Sequence, residues 1–379
     1  MQILADENIP YIKEAFSSLG KVRTMAGRHL KRSDLGEAQM LLVRSVTQVD
    51  EKLLSGSAIR FVGSATIGLD HIDLAYLQQQ DIGFASAPGS NANSAAEYVI
   101  SALLIIAERQ GFQLSDKTVG IIGCGHVGSN VLNKLKALGV ECVIHDPPLR
   151  EKTGSQDYAN LDTVLSADII TLHVPLKKTG RYPTLHLVDT HFLAQLRDDV
   201  ILINTSRGAV IDEIALLKTL TTRPAMTVIL DVWQNEPDIN LSLLQRTALG
   251  TPHIAGYSFD GKVRGTEMLY SAACDYFQIS PTWHAQKPPP PLTQLSFFQS
   301  INDNVAIHTA VMACYDVRRD DAALRQINQV SHPSAYFDQL RKNYPIRREW
   351  NCVKIILSKE KTILTTRLRN LGFNSSTTD

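Results

Sequence analysis

The sequence predicts an α/β protein: two Rossmann-like, doubly wound parallel-sheet domains followed by a C-terminal α+β domain. Three observations carry this. Short runs rich in valine and isoleucine alternate with helical patterns, a glycine-rich turn joins one such run to a helix, and Pro288–Pro291 extends a proline run that sets off the last stretch of chain. With 379 residues, 44% of them hydrophobic, the chain exceeds the roughly 250–300 residues at which single cores stop growing.

The first block reads "MQILADE", "AQMLLVRS", "IRFVGSAT" and "IGFASAP", with helical patterns between them. Pro88 and Gly89 break that pattern, and Asn93 or Ser94 is the expected N-cap of a long Ala/Leu/Ile-rich helix that carries the chain between domains. The second block is "TVGIIG", "ECVIHD", "DIITLHV", "VILINTS" and "MTVILDV". Near-continuous apolar strands alternating with helices indicate a parallel sheet covered on both faces. A further helical pattern, "DGKVRGTEMLYSAACDYF", leads to "QKPPPP", a stiff polyproline spacer. The expected domains are therefore 1–93 with 257–285, 94–256, and 286–379, with "NSSTTD" a frayed tail.

Composition excludes several function classes. Lys+Arg and Asp+Glu both total 38, so no net charge draws the chain onto nucleic acid or an anionic membrane. The five cysteines are widely spaced without a CxxC pair, which suggests neither a disulfide framework nor a metal site and fits a reducing cytoplasm. The N-terminal residues lack a secretory pattern, and no apolar run approaches the ~20 residues that span a bilayer.

Gly123, Gly125 and Gly128 form a GxGxxG directly after a strand. The first permits a tight turn, the second lets a pyrophosphate approach the backbone, and the third lets helix pack on strand. Asp146 ends the next strand, where a carboxylate accepts ribose hydroxyls and repels a 2′-phosphate, favouring NAD over NADP; Arg150 and Lys152 nearby keep NADP open, and a plain turn role for Asp146 stays open too. Three later strand ends carry Arg207, Glu236 and His253, with Asp231 beside the second. Ligands bind outside the carboxyl ends of such strands. An arginine fork there can hold a carboxylate, histidine can exchange a hydroxyl proton at neutral pH, and a neighbouring carboxylate can fix its tautomer and favour its cation.

The pieces "GIIGCGHVG", "INTSRGAVID", "LDVWQNEP" and "TPHIAG" resemble the D-isomer-specific 2-hydroxyacid dehydrogenases. The resemblance covers roughly residues 1–280. It implies that Arg207 binds and polarises the substrate carboxylate and that Glu236 and His253 perform the acid/base step. It also puts His126, Val127, Val174, Thr205, Asp231 and Gly256 at NAD, with 94–256 the NAD-binding domain and 1–93 with 257–285 the substrate domain. Val174 stands where a threonine is expected. A sharper likeness to one member acting on a phosphorylated 2-hydroxy acid, carried by "LLVRSVT", "GSATIGLDHID", "SAPGSNANSAAEYV" and "IAGYSFDGKVRGT", implies that Ser45, Thr66 and Tyr257 contact substrate and that 286–379 forms a homodimer. Arg44 is the expected partner for the substrate phosphate, a surface ion pair being the alternative. Arg347-Arg348 is read as a solvated face that could also contribute. Two other readings stay open: a dehydrogenase for 3-phosphoglycerate or for hydroxypyruvate and glyoxylate, or a non-catalytic NAD-binding regulator.

Overall fold

The computed structural model describes residues 1–377. It divides into two compact units: Met1–Asn91 with Ser258–Pro288, and Ala92–Tyr257 with Pro289–Asp379. No described helix is long and apolar enough to cross a membrane.

The first unit holds strands β1 (Gln2–Asp6), β2 (Lys21–Met25), β3 (Met40–Val43), β4 (Phe61–Ser64) and β5 (Gly83–Ser86) in the parallel order β2-β1-β3-β4-β5. Alternate side chains separate onto two cores. Ile3, Ala5, Met40 and Leu42 pack with Leu269 and Tyr270 of the helix Phe259–Phe277, while Leu4, Leu41, Val43 and Val62 pack with Leu53 and Leu77. The inner strand β3 is apolar at every position because both faces are covered, while the edge strand β2 carries Lys21, Arg23 and Thr24.

The second unit repeats the plan with β6 (Thr118–Ile122), β7 (Glu141–His145), β8 (Ile169–Leu172), β9 (Ile201–Asn204), β10 (Thr227–Leu230) and β11 (Leu249–Gly250), parallel in the order β11-β10-β9-β8-β6-β7. The order reverses between β6 and β8, the switch point where such sheets bind ligands. The long helix, Ala92–Gln110, lies wholly in this unit. It begins at Ala92, so Asn93 and Ser94 fall inside its first turn rather than capping it. Both side chains instead donate to Glu349, at 3.0 and 2.9 Å.

The residues after Pro289 share the cores of this unit. Ala306, Trp350, Ile355 and Leu368 join Val119, Ile121 and Ile203 on one face of the six-stranded sheet, and Leu324 and Phe337 join Leu202 and Leu230 on the other. Strands β12 (Gln294–Ser296), β13 (Lys354–Leu357) and β14 (Asn374–Thr377) form a small parallel sheet. The expected frayed tail is thus corrected. Residues 374–377 are a strand, held by backbone pairing to β13, by Ser375 Oγ donating to Thr365 O (2.7 Å) and by Phe373 stacked on Trp350 (5.1 Å between centroids). Thr378 and Asp379 lie outside the described residues.

Arg347-Arg348 is corrected as well: both side chains are buried, not solvated. Arg347 donates to Ala255 O and Ser94 O, lies 3.6 Å from the Tyr315 ring centroid, and pairs with Glu97 Oε2 at 3.7 Å. Trp350 N–H donates to Glu97 Oε1 (2.9 Å). A charged lock therefore joins the long helix to the C-terminal residues. Burial pushes the Glu97 carboxyl up from 4.5 to about 7. The folded state binds the extra proton between those values, so this group's contribution to stability falls as pH rises through that window. Above it, Glu97 is an anion that needs Arg347. We expect Arg347→Met to cost roughly 3–5 kcal/mol of unfolding free energy at about pH 8, and distinctly less near pH 5.5. Denaturant titrations at both pH values measure this; equal losses would assign Arg347 a packing role instead.

Candidate active site

The glycine turn after β6 has a separate physical reason at each position. Gly123 has φ +87°, and a Cβ there would sit 2.7 Å from His173 O. A Cβ on Gly128 would lie 2.0 Å from Gly123 O, so no side chain fits where helix meets strand. Gly125 faces open space and precedes the helix His126–Ala137, whose N-terminus has no side-chain cap. Bare N–H groups at a helix start, reached over a residue without Cβ, suit a pyrophosphate. His126 is exposed and Val127 half-buried at that start.

Asp146 follows β7 and is half-buried. Its Oδ2 accepts from Cys124 N–H (2.8 Å) in the glycine turn, and its Oδ1 caps the helix Pro147–Thr153 through Leu149 N–H (3.0 Å). The turn role and the ribose role are compatible, since each carboxylate oxygen has a second lone pair. Across the switch point, Val174 packs toward the glycine turn, its Cγ1 2.9 Å from where a Gly123 Cβ would stand. His173 bridges Thr171 Oγ1 (2.9 Å) and Thr205 Oγ1 (3.4 Å), and burial lowers it to about 3, so it is a neutral imidazole.

Arg207, Glu236 and His253 follow β9, β10 and β11, three neighbouring strands. Asn204 shapes the first strand end: its Oδ1 accepts from Ser206 N–H and Oγ–H, and its Nδ2 donates to Arg207 O (2.9 Å). Gly208 then presses on the next loop, for a Cβ there would lie 1.9 Å from the Trp233 carbonyl carbon. Glycine after Arg207 is what lets the two loops meet. Within the second loop, Trp233 N–H donates to Glu236 Oε1 (2.9 Å), and Glu236 Oε2 lies 2.7 Å from His253 Nδ1. A carboxylate there favours the proton on Nδ1 and leaves the Nε2 lone pair free to accept one. Burial opposes the Glu236 charge, but His253, Arg341 and the Trp233 N–H outweigh it and hold the carboxyl below its ordinary value.

His253 has φ +57°, a left-handed conformation rare for a side chain with Cβ. Asp231, 1% exposed, imposes it. Its carbonyl accepts from His253 N–H (2.7 Å), Oδ1 accepts from Thr251 Oγ–H (2.6 Å) and Ile254 N–H (2.8 Å), and Oδ2 from Ala255 N–H (2.9 Å). Tyr98 of the long helix braces Thr251 at 2.7 Å. Gly256 and Tyr257 continue this loop, Tyr257 N–H bonding back to Ile254 O.

In the first unit, Arg44 and Ser45 follow β3 and Thr66 follows β4, its immediate neighbour in the sheet. Ser45 is exposed, and Thr66 shares a hydrogen bond with Ser64 (2.9 Å). Arg44 makes an ion pair at 3.1 Å, with the buried Asp6 rather than a surface group. Sequence reasoning missed Gly208, Trp233, His173 and Arg341. "RG" inside "INTSRGAVI" was a usable signal for Gly208; Arg341, in "FDQLRK", belongs to no motif.

Residues 104–255 match the D-isomer specific 2-hydroxyacid dehydrogenase NAD binding domain, and 287–372 match a domain of unknown function. The chain is 45% identical to the erythronate-4-phosphate dehydrogenase of Hahella chejuensis, over 99% of this chain and 100% of the relative, and 46% identical to that of Cronobacter sakazakii, over 99% of each. Among solved structures, NAD⁺-bound 3-phosphoglycerate dehydrogenase of Entamoeba histolytica aligns with TM-score 0.63 at 25% identity, covering 73% of this chain and 95% of that one. D-lactate dehydrogenase of Aquifex aeolicus, complexed with NAD and lactic acid, aligns with TM-score 0.61 at 25% identity, covering 73% and 96%.

Asp146→Asn keeps an acceptor for one backbone N–H but removes the charge, so NAD⁺ binding should weaken about tenfold while use of NADP⁺ relative to NAD⁺ rises. Steady-state kinetics with both cofactors measure the ratio; an unchanged ratio would leave Asp146 a turn residue only.

Proposed function

The chain belongs to the erythronate-4-phosphate dehydrogenase family, and we propose that it oxidises 4-phospho-D-erythronate to 3-hydroxy-2-oxo-4-phosphooxybutanoate, a step of vitamin B6 biosynthesis. The full-length likeness to those relatives carries the substrate, and the 2.7 Å contact between Glu236 and His253, at strand ends neighbouring that of Arg207, supports the acid/base chemistry.

Arg207 holds the substrate carboxylate through its planar fork and fixes the orientation of C2. His253 Nε2 takes the C2 hydroxyl proton, and Glu236 stabilises the imidazolium through Nδ1–H. Bound NAD⁺ would supply the acceptor for the C2 hydride; Gly123, Gly125, Gly128, His126 and Val127 would hold its pyrophosphate and Asp146 its ribose, while Val174, Thr205, Asp231 and Gly256 would line its nicotinamide end. Ser45, Thr66 and Tyr257 contact substrate. Neutral imidazole drives oxidation and its cation drives the reverse reaction, so the two directions have opposite pH dependence.

The enzyme works in the cytoplasm as a homodimer joined through its C-terminal residues. Phe298, Val305 and Ile363, which are 87%, 54% and 73% exposed, support that interface. Removal of everything beyond the prolines is not a clean test, because Trp350 and Leu368 belong to the core of the second unit. The double variant Phe298→Asp, Val305→Asp should instead shift light-scattering mass from dimer to monomer; an unchanged dimer places the interface elsewhere.

NADH formation from a panel of phosphorylated and plain 2-hydroxy acids tests the substrate. Arg207→Lys should lower kcat/KM for the preferred acid about a hundredfold, since an ammonium lacks the fork. Retention of more than about half the activity would refute the carboxylate role.

A further inference from the structure

The proposed substrate carries an anion at each end, and Arg207 answers only the carboxylate. Arg44 is already paired with Asp6. In the second unit another guanidinium stands beside the acid/base pair. Arg341 lies on the helix Pro333–Lys342, inside the stretch that matches a domain of unknown function. The side chain is half-buried, and its Nε is buried without a hydrogen-bond partner among the described residues. The guanidinium carbon lies 5.8 Å from the centroid of the Tyr257 ring, which Tyr344 braces edge-on at 5.7 Å. Its charge reaches Glu236 and helps hold that carboxyl below its ordinary value. Burial works against the Arg341 charge, and the charges of Tyr257 and Glu236, a side-chain hydrogen bond to Tyr257 and, more weakly, Asp338 more than offset it.

We propose that Arg341 binds the phosphate of the substrate, so that the C-terminal residues complete the active site by recognising its phosphorylated end. This rests on the dehydrogenase reading above. A guanidinium with a buried, unsatisfied N–H is costly unless something accepts from it, and a phosphate dianion offers oxygens spaced for the fork. The position also suits the chemistry. Tyr257 follows His253 by four residues in one loop, so a phosphate held over Tyr257 stays close to the base while Arg207 holds the opposite end. Pinning a short flexible acid at both ends orients C2 toward Nε2. It also separates the phosphorylated acid from its plain counterpart, which would leave the buried Arg341 Nε–H without an acceptor.

The test compares parent and Arg341→Gln, with Arg341→Lys as a milder charge-retaining variant, using 4-phospho-D-erythronate and D-erythronate at saturating NAD⁺. The expected result is that the preference for the phosphorylated acid, as a ratio of kcat/KM values, falls about a hundredfold in Arg341→Gln, chiefly through KM, with partial recovery in Arg341→Lys. Equal loss on both acids would overturn the proposal and make Arg341 a positioning residue for Glu236; no loss would overturn it outright. Calorimetric titration of the NAD⁺-loaded proteins with inorganic phosphate gives a readout independent of turnover. Phosphate affinity should fall at least about tenfold in Arg341→Gln, and unchanged affinity overturns the proposal. A parent enzyme that makes no NADH from 4-phospho-D-erythronate yet binds phosphate through Arg341 would refute the substrate reading while sustaining the phosphate site.

Discussion

The buried carboxylate of Asp231 is the constraint on which the catalytic arrangement depends. It sits at the end of β10 and gathers the N–H groups of Ile254 and Ala255 and the hydroxyl of Thr251, while its own carbonyl takes the N–H of His253. Burying a carboxylate is expensive unless donors surround it. Here the donors all come from the loop that bears His253, so desolvation itself holds that loop in place. The left-handed backbone at His253, a strain of order 1 kcal/mol or more, persists because those bonds over-determine it. Once His253 is fixed, Glu236 needs only the Trp233 N–H and one imidazole N–H to be oriented.

A second set of buried charges ties the C-terminal residues to the same structure. Glu97 and Glu349 receive Asn93, Ser94 and the Trp350 N–H, and Arg347 links Ser94 and Ala255 carbonyls to Glu97. Ala255 is common to both networks: its N–H serves Asp231 and its carbonyl serves Arg347. The C-terminal residues therefore hold the histidine loop through Arg347, while the helix Pro333–Lys342 brings Arg341 to the ring of Tyr257 in the same loop.

What could be read from the sequence follows from the range of the interactions involved. Gly123, Gly125 and Gly128 are legible because turn, cradle and helix contact are local and only glycine meets all three. The two larger parallel sheets are legible because their inner strands, covered on two faces, are nearly continuous apolar runs. Arg207, Glu236 and His253 stand out as polar residues at strand ends, and their family resemblance sharpened that reading. Arg341 and Arg347 are opaque for the opposite reason. Their surroundings are assembled by Tyr257, Glu97 and Tyr315, residues distant in sequence, and an arginine pair such as Arg347-Arg348 reads as a wet face until a tertiary partner is known. The strand at Asn374–Thr377 was hidden likewise, since its polar side chains carry no pattern and its stability comes from pairing with β13 and from Phe373 against Trp350.

The central claim is that His253, oriented by Glu236, removes the C2 hydroxyl proton. It is tested most directly by single-turnover formation of NADH from 4-phospho-D-erythronate, with hydrogen or deuterium at C2, in the parent and in His253→Gln. The parent should slow with deuterium. His253→Gln should bind NAD⁺ as the parent does, yet form NADH slower by a factor on the order of a hundred or more, a loss that does not diminish as pH rises. A His253→Gln protein that forms NADH within about threefold of the parent rate would contradict the account.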